Sequence, residues 1–469
     1  MYIIVVGGGG VGFEVARNLS EKNQDVVVIE KNPEKATRLS ETLDVMVIED
    51  NGANAAVLER ADIKNADMLI AVTEVDEINI IACMLAKQYA VPITIARIRN
   101  TDYAQSSKIL SQENLGIDIV INPERAVAFE ISRMLHFPNA CEIDYFNQGK
   151  VMMLALYVDK DADITGQPLN KLSLPNGCII VGISNDKDKF IIPGGHDAIN
   201  PGDKVYFLGS TRVLKDISWL LLHEQTRVRQ VAILGGGMIG LQLARILEES
   251  KRNFSVKLVE KCEERCRQLS RDLSRTLVLQ GDASELRFFQ EEEMEWADAV
   301  IAVTGDDRTN IIAGLLAKQF NVKKIICEII NQQYLPVYNR LGIGSVINPR
   351  LVAAAQIMRY TRSKDVVNLA ILQNEKAEVV ELVLPDSSRF ANKMISKINF
   401  PRGMLIGTIV RKEEVIIPHG NTKLLSGDRL VIFALPEVSS MLDRYFTSGR
   451  EKENGVFGKL ILSEKERSS

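Results

Sequence analysis

At 469 residues the chain exceeds what one hydrophobic core usually organises, and at about 150 residues per domain it should hold roughly three domains. The 57 Lys+Arg against 61 Asp+Glu leave a net charge of −4 spread along the chain, which offers no basic field for a primary role on nucleic acid. Hydrophobic residues at 46% and charged residues at 25% are ordinary globular values, and apolar runs such as Val151 to Val158 are too short to span a bilayer, so a soluble chain is expected.

Met1 leads directly into an apolar run with no charged leader and no cleavage site, which predicts neither a secretory signal nor a membrane anchor and places the chain in the cytoplasm. Across residues 1–137, Ile3–Val6, Val26–Ile29, Val45–Ile48, Met68–Val72 and Ile93–Ala96 are near-continuously apolar. Stretches of helical period separate them, the pattern of parallel strands covered on both faces. Gly7, Gly9 and Gly12 form G-x-G-x-x-G between the first strand and the following helix. There the first glycine permits a tight turn, the second lets backbone approach a pyrophosphate, and the third lets helix pack on strand. With Gly8, Gly10 and Val11, these residues aim free backbone N–H groups at phosphate. Glu30 follows Gly12 by 18 residues. A carboxylate at that place accepts from both ribose hydroxyls and repels a 2′-phosphate, favouring NAD over NADP. Asn51 and Gly52 end the third strand, where an adenine edge sits. Thr73 ends the fourth; Asp76 and Asn79 beyond it read equally well as helix caps or ligand contacts. Arg97 ends the fifth strand and offers a guanidinium to phosphate.

Residues 140–225 carry short alternating runs broken by Gly, Pro and Asn, with a helical stretch near the end, and predict a small α+β domain. The pattern then starts again. Gln230 to Gly240 repeats the opening segment, with Gly235 standing 228 residues after Gly7. Gly235, Gly237, Met238, Ile239, Gly240, Glu260, Asp282, Ala283 and Thr304 take the corresponding places, so residues 228–362 form a second nucleotide-binding domain and 366–448 a second small one. The fold class is α/β: two doubly wound Rossmann-like parallel-sheet domains, each followed by a small α+β domain. Residues 449–469 form a polar tail in which Val456–Phe457 and Leu460–Leu462 offer a short docking element.

The copies differ in sign at one edge. Arg97 becomes Glu328 in copy two, and Glu124, after the Asn122–Pro123 pair, becomes Arg350. A carboxylate at the strand end repels an anion, so copy two should bind such ligands more weakly, while a salt bridge with exchanged partners at an interface explains the same reversal. Six cysteines with no C-x-x-C pair point to neither zinc nor a disulfide framework, and Cys262 and Cys266 receive no role. His136, His196, His223 and His419 stand in no catalytic arrangement.

The duplicated order, together with Ala71-Val-Thr-Glu-Val-Asp-Glu-Ile-Asn79, Ala96-Arg-Ile-Arg99 and Asn122-Pro-Glu124, closely resembles the TrkA family of Trk potassium uptake systems. The larger units resemble RCK (regulator of potassium conductance) N-terminal domains. The smaller ones, with Leu172-x-Leu-Pro-x-Gly177, Ile192-Pro-Gly194 and Pro201-Gly-Asp203, resemble RCK C-terminal domains, and Phe400-Pro-Arg-Gly403, Ile417-Pro-His-Gly420 and Gly427-Asp428 repeat the marks. The resemblance implies a non-enzymatic regulatory subunit, peripheral at the inner face of the cell membrane. It would bind NAD(H), with ATP or ADP as further ligands, and gate a potassium-translocating partner of the TrkH/TrkG type. It also implies a homo-oligomer, dimer or tetramer, whose ring of Rossmann units is swapped through crossover helices after Pro123 and Pro349. ATP-preferring relatives carry Arg in the glycine turn where this chain has Gly10 and Met238, which counts against ATP. A regulatory subunit of a potassium/proton antiporter is the alternative. An NAD-dependent dehydrogenase stands further off, because the small units offer no proton donor for a substrate.

Overall fold

The structure, a computed structural model, describes residues 1–100, 103, 115–160, 162, 164–185, 190–214, 217, 228–361, 366–372 (backbone), 377–439 and 442–447. The polar tail at 449–469, its docking element and His223 lie outside the described residues. In the first copy, β1 (Tyr2–Val6), β2 (Asp25–Glu30), β3 (Met46–Glu49), β4 (Met68–Ala71), β5 (Ile93–Arg97) and β6 (Ile119–Ile121) form a parallel sheet in the order β3-β2-β1-β4-β5-β6. Ile3, Ile4 and Val5 of β1 are fully buried, because helices cover both faces of a doubly wound sheet. The strand order reverses between β1 and β4, and such a switch point opens a crevice at the carboxyl ends of the strands.

After the small domain's strands, β7 (Ala140–Phe146), β8 (Val151–Tyr157), β9 (Cys178–Ser184), β10 (Phe190–Ile191) and β11 (Lys204–Ser210), the second copy repeats the first. Its strands β12 (Gln230–Leu234), β13 (Ser255–Glu260), β14 (Leu277–Gln280), β15 (Ala299–Ala302), β16 (Lys324–Glu328) and β17 (Ser345–Ile347) take the order β14-β13-β12-β15-β16-β17. The last sheet is antiparallel, in the order β18-β19-β22-β20-β21, from β18 (Val366–Leu372), β19 (Ala377–Val383), β20 (Met404–Arg411), β21 (Glu414–Ile416) and β22 (Arg429–Ala434).

The chain alternates large and small domains in sequence, but its compact units pair like with like. Among the described residues, one holds those of 1–139 with those of 226–360, the other those of 140–225 with those of 361–447. In the second unit the two antiparallel sheets share one core, where Phe146, Met153, Tyr206 and Leu208 pack with Val379, Val431 and Phe433. Glu381, almost fully buried there, accepts from the Asn147 N–H at 2.9 Å and pairs with Arg429 at 3.3 Å. A buried carboxylate so held needs both partners.

In the first unit the two crossover helices are exchanged. Each begins with the Asn-Pro pair that recurs in the sequence. Asn122 and Asn348 accept from backbone N–H groups of the first turn, and the prolines occupy the first helical position, which needs no N–H donor. Helix Pro123–His136 buries Val127, Ala128, Ile131 and Leu135 in the core of copy two, with Ile239, Leu243 and Leu247. Helix Pro349–Met358 buries Ala353, Ala354, Ile357 and Met358 in the core of copy one, with Val11, Val15 and Leu19. His136 fixes the end of the first exchange: its ring meets Phe254 edge-on at 5.4 Å, and its carbonyl accepts from Arg252 at 3.0 Å. The swap that the resemblance implies for the family's rings is therefore made between the two copies of one chain.

Candidate functional site

At the carboxyl edge of the first sheet a cleft of about 440 Å³ is lined by Gly7, Gly9, Gly10, Val11, Glu30, Asn51, Gly52, Thr73 and Arg97. The three glycines of the motif have different physical reasons. Gly7 adopts φ +102°, a conformation side chains avoid. A Cβ on Gly12 would lie 1.8 Å from the Gly7 carbonyl oxygen, so the helix packs on the turn only if this residue is glycine. A Cβ on Gly9 meets no protein atom within 4 Å. No packing within the chain excludes a side chain at Gly9, and the residue faces the cleft, as expected if a ligand occupies that space. Gly235, Gly240 and Gly237 repeat all three situations in copy two.

Glu30 is buried at the end of β2, and its two oxygens accept from the backbone N–H of Gly8 at 2.5 Å and of Asn32 at 2.7 Å. The carboxylate thus braces the glycine turn before any ligand arrives, and each oxygen keeps lone-pair capacity toward the cleft. Gly8 itself packs against Leu39 and Glu30. Glu260 does the same for Gly236 and Cys262 at 2.9 and 2.8 Å. Asn51 lines the cleft while its side-chain oxygen accepts from Ala53 at 3.1 Å.

The contacts show how several of these residues are already engaged. Asp282, the counterpart of Asn51, is taken up by Lys261 at 2.7 Å and by Ser284, which hold its carboxyl down at about 2, and Ala283 is buried. Asp76 and Asn79 are not helix caps. Fully buried Asn79 accepts from Thr73 and donates to the Arg97 carbonyl at 2.8 Å, while Asp76 accepts from the N–H groups of Arg99 and Asn100. They tie the end of β4 to the end of β5, because side chains opening this helix face the neighbouring strand end. Thr304, Asn310 and Asp307 repeat the tie. Thr73 therefore lines the cleft with its hydroxyl already engaged.

Arg97 lines the cleft and is also ion-paired, its guanidinium 3.1 Å from Glu124, which Arg99 approaches at the same distance. Burial pushes the Arg97 pKa down, and Glu124 pulls it back. Copy two does not mirror this pair. Glu328 is 4% exposed, and burial, with the neighbouring charges of Asp307 and Glu124, lifts its carboxyl to about 7. Met238 and Ile239 open the second loop helix, Met238 exposed and Ile239 buried. Lys31, Pro33 and Lys35 also line the first cleft, and sequence reasoning passed over them. Their signal was available: the turn after β2 must emerge at the same sheet edge as the glycine turn.

With this geometry in hand, comparison with known proteins is decisive on family. The TrkA-N domain matches residues 3–123 and 231–349, and the TrkA-C domain matches residues 153–221 and 379–447. The chain belongs to the TrkA family. Trk system potassium uptake protein TrkA homolog 1 of Methanosarcina mazei is 35% identical over 453 residues, 95% of this chain and 100% of that protein. The Trk system potassium uptake protein TrkA of Halomonas elongata is 34% identical over 441 residues, 93% and 96% of the two chains. Among solved structures, the GsuK channel superposes with a TM-score of 0.62 at 19% identity, covering 95% of this chain and 78% of its own. The GsuK channel bound to NAD gives 0.60 at 18%, with the same coverage. At these identities the likeness is one of fold. Among the described residues no helix is long and apolar enough to cross a membrane.

Proposed function

We propose that the chain is a nucleotide-binding regulatory subunit of a Trk-type potassium uptake system, which takes NAD(H) into the first-copy cleft and gates a potassium-translocating membrane partner through it. The observation that carries the reading is the open space at Gly9, set between the braced glycine turn, Glu30 and Arg97 on one sheet edge. The residues fit a dinucleotide. Free N–H groups of the helix opening at Gly10 would hold a phosphate, Glu30 and the Asn51–Gly52 turn would take the ribose and base, and the Arg97 guanidinium would offer a charge-assisted contact to a phosphate. The names of the relatives support the potassium-uptake role, and the NAD bound by the GsuK channel supports the ligand. The bound dinucleotide supplies charge and shape, and the reading assigns this chain no reaction.

The gating follows from linkage. A ligand favours one arrangement of the Rossmann unit only by as much as it binds that arrangement more tightly. The helix that opens the cleft, Gly10–Glu21, packs on the crossover helix of the other copy, so the ligand's contacts bear on both copies. Copy two, with Glu328 in place of Arg97, binds anionic ligands more weakly, and ADP or ATP enter as competitors at the same cleft. Calorimetric titration with NADH, followed by ADP, tests this. About one NADH per chain bound without oxidation is expected, whereas absence of NADH binding refutes the ligand. Co-purification from membranes with a potassium-translocating protein tests the partner, and recovery of an antiporter instead refutes it.

A further inference from the structure

Gly10 is the first residue of the loop helix, and a Cβ built there would lie 2.2 Å from Nε, 2.5 Å from Cδ and 2.7 Å from Cζ of Arg350. The arginine comes from the other repeat, at the start of its exchanged crossover helix. It therefore lies against the glycine turn of copy one, in the space a side chain at Gly10 would fill. We propose that Arg350, carried by the second repeat, is a phosphate-binding residue of the first repeat's nucleotide site. The proposal rests on the nucleotide reading above and specifies which part of the ligand is recognised across the repeat.

Three observations converge on it. Among the described residues the Arg350 side chain is exposed and makes no ion pair, although its sequence counterpart Glu124 is engaged by both Arg97 and Arg99. The helix it touches is uncapped: Gly9 offers no side chain, and the first turn contains no acidic residue. A guanidinium beside the positive end of a helix is unfavourable unless an anion lies between them, and the free N–H groups and the guanidinium together make a site for one. Finally, Gly10 and Val11 line the cleft that also holds Arg97, Lys31 and Lys35, so Arg350, which packs against Gly10 and is not itself a lining residue, brings a cation beside the cleft already read as a nucleotide site. Copy two is not built this way. Met238 stands where Gly10 would be and is 42% exposed, and Glu124, the sequence counterpart of Arg350, is a carboxylate engaged by Arg97 and Arg99. The first site is thus completed by the second repeat, while the equivalent position facing the other way carries the carboxylate Glu124.

The full-length chain is titrated with NADH, with ADP and with adenosine, as wild type, as Arg350→Ala, as Gly10→Ala and as the double variant. Arg350 is exposed and Gly10→Ala improves helix propensity, so the folded chain should survive both changes. Loss of one charge-assisted contact should weaken NADH and ADP roughly ten- to a hundredfold in Arg350→Ala and leave adenosine unchanged. Gly10→Ala should give a similar loss by evicting the guanidinium, and the double variant should be no worse than either single one. Wild-type affinity of Arg350→Ala for NADH and ADP overturns the proposal and leaves the nucleotide reading standing. So does an equal loss for adenosine, and so do fully additive effects of the two substitutions. A wild-type chain that binds none of the three probes overturns both.

Discussion

Glu328 is a buried carboxyl whose charged form the second copy disfavours. It ends β16, is 4% exposed, and stands where the first copy has Arg97. Burial dominates, the Gly305 N–H helps the charged form, and Asp307 and Glu124 oppose it, lifting the carboxyl from 4.5 to about 7. A carboxyl with a raised folded-state value binds a proton in the folded chain that the unfolded chain has already released. Its stabilising contribution is therefore complete below about pH 4.5 and is lost as pH rises through about 7. At 1.36 kcal/mol per pH unit, the two limits differ by about 3 kcal/mol. Glu328→Gln keeps the shape and removes the titration. The variant should match the wild type near pH 4.5 and exceed it by up to about 3 kcal/mol at pH 8. The chain has two tryptophans, Trp219 and Trp296, and Trp296 lies in the same domain as Glu328. Urea unfolding followed by Trp296 fluorescence in a Trp219→Phe background, from pH 4.5 to 8, reads the difference. Parallel pH curves for variant and wild type would refute the reasoning.

Other outcomes follow from the site and the exchange. Arg97→Ala should weaken NADH by about 1.5–3 kcal/mol in calorimetry, with Arg99 still holding Glu124, and unchanged affinity would remove Arg97 from the site. Gly9→Ala should leave the melting temperature unchanged and abolish NADH binding, because the added methyl meets ligand and no protein atom; Gly12→Ala, whose methyl would overlap the Gly7 carbonyl, should instead destabilise the domain in a thermal melt. Ile131→Ala should cost about 2–5 kcal/mol. Hydrogen exchange should show that loss in strands β12 and β13 of copy two, not in β1 and β2 of copy one, because Ile131 is buried in the second core.

What the sequence displays well is local and repeated. Apolar runs marked every central strand, and the spacing of Gly7, Gly9, Gly12 and Glu30 placed the turn and its brace, because those relations are set within one βαβ unit. The reversal of sign at Arg97, Glu124, Glu328 and Arg350 was visible too, but not its geometry. A helix beginning Asn-Pro reads identically whether it folds back on its own sheet or crosses to another. Only packing shows that Arg350 lies against Gly10 while Glu124 stays with Arg97. Asp76 and Asn79 failed as caps for a related reason: a polar residue at a helix opening carries no mark of whether its partner is its own backbone or the next strand.

Duplication within one chain is what allows this edge to become unequal. In a symmetric pair of identical units, any residue placed at one site appears at the other, so a cation over one glycine turn requires a cation over both. Here Glu124 and Arg350 occupy equivalent helix positions with opposite charge, and each helix belongs to the other copy's core. In the proposed site a nucleotide's phosphate, held by Arg350, would therefore draw on the second repeat while its base and ribose would draw on the first. The contact is too small to act alone. Moving a two-state unit from 1:99 to 99:1 takes about 5.5 kcal/mol of differential binding, and one charge-assisted contact supplies about 1.5–3. On the proposed reading the rest would come from the glycine turn, Glu30 and Arg97. A nucleotide lacking the groups that reach all of them would bind the unit without committing it to one arrangement.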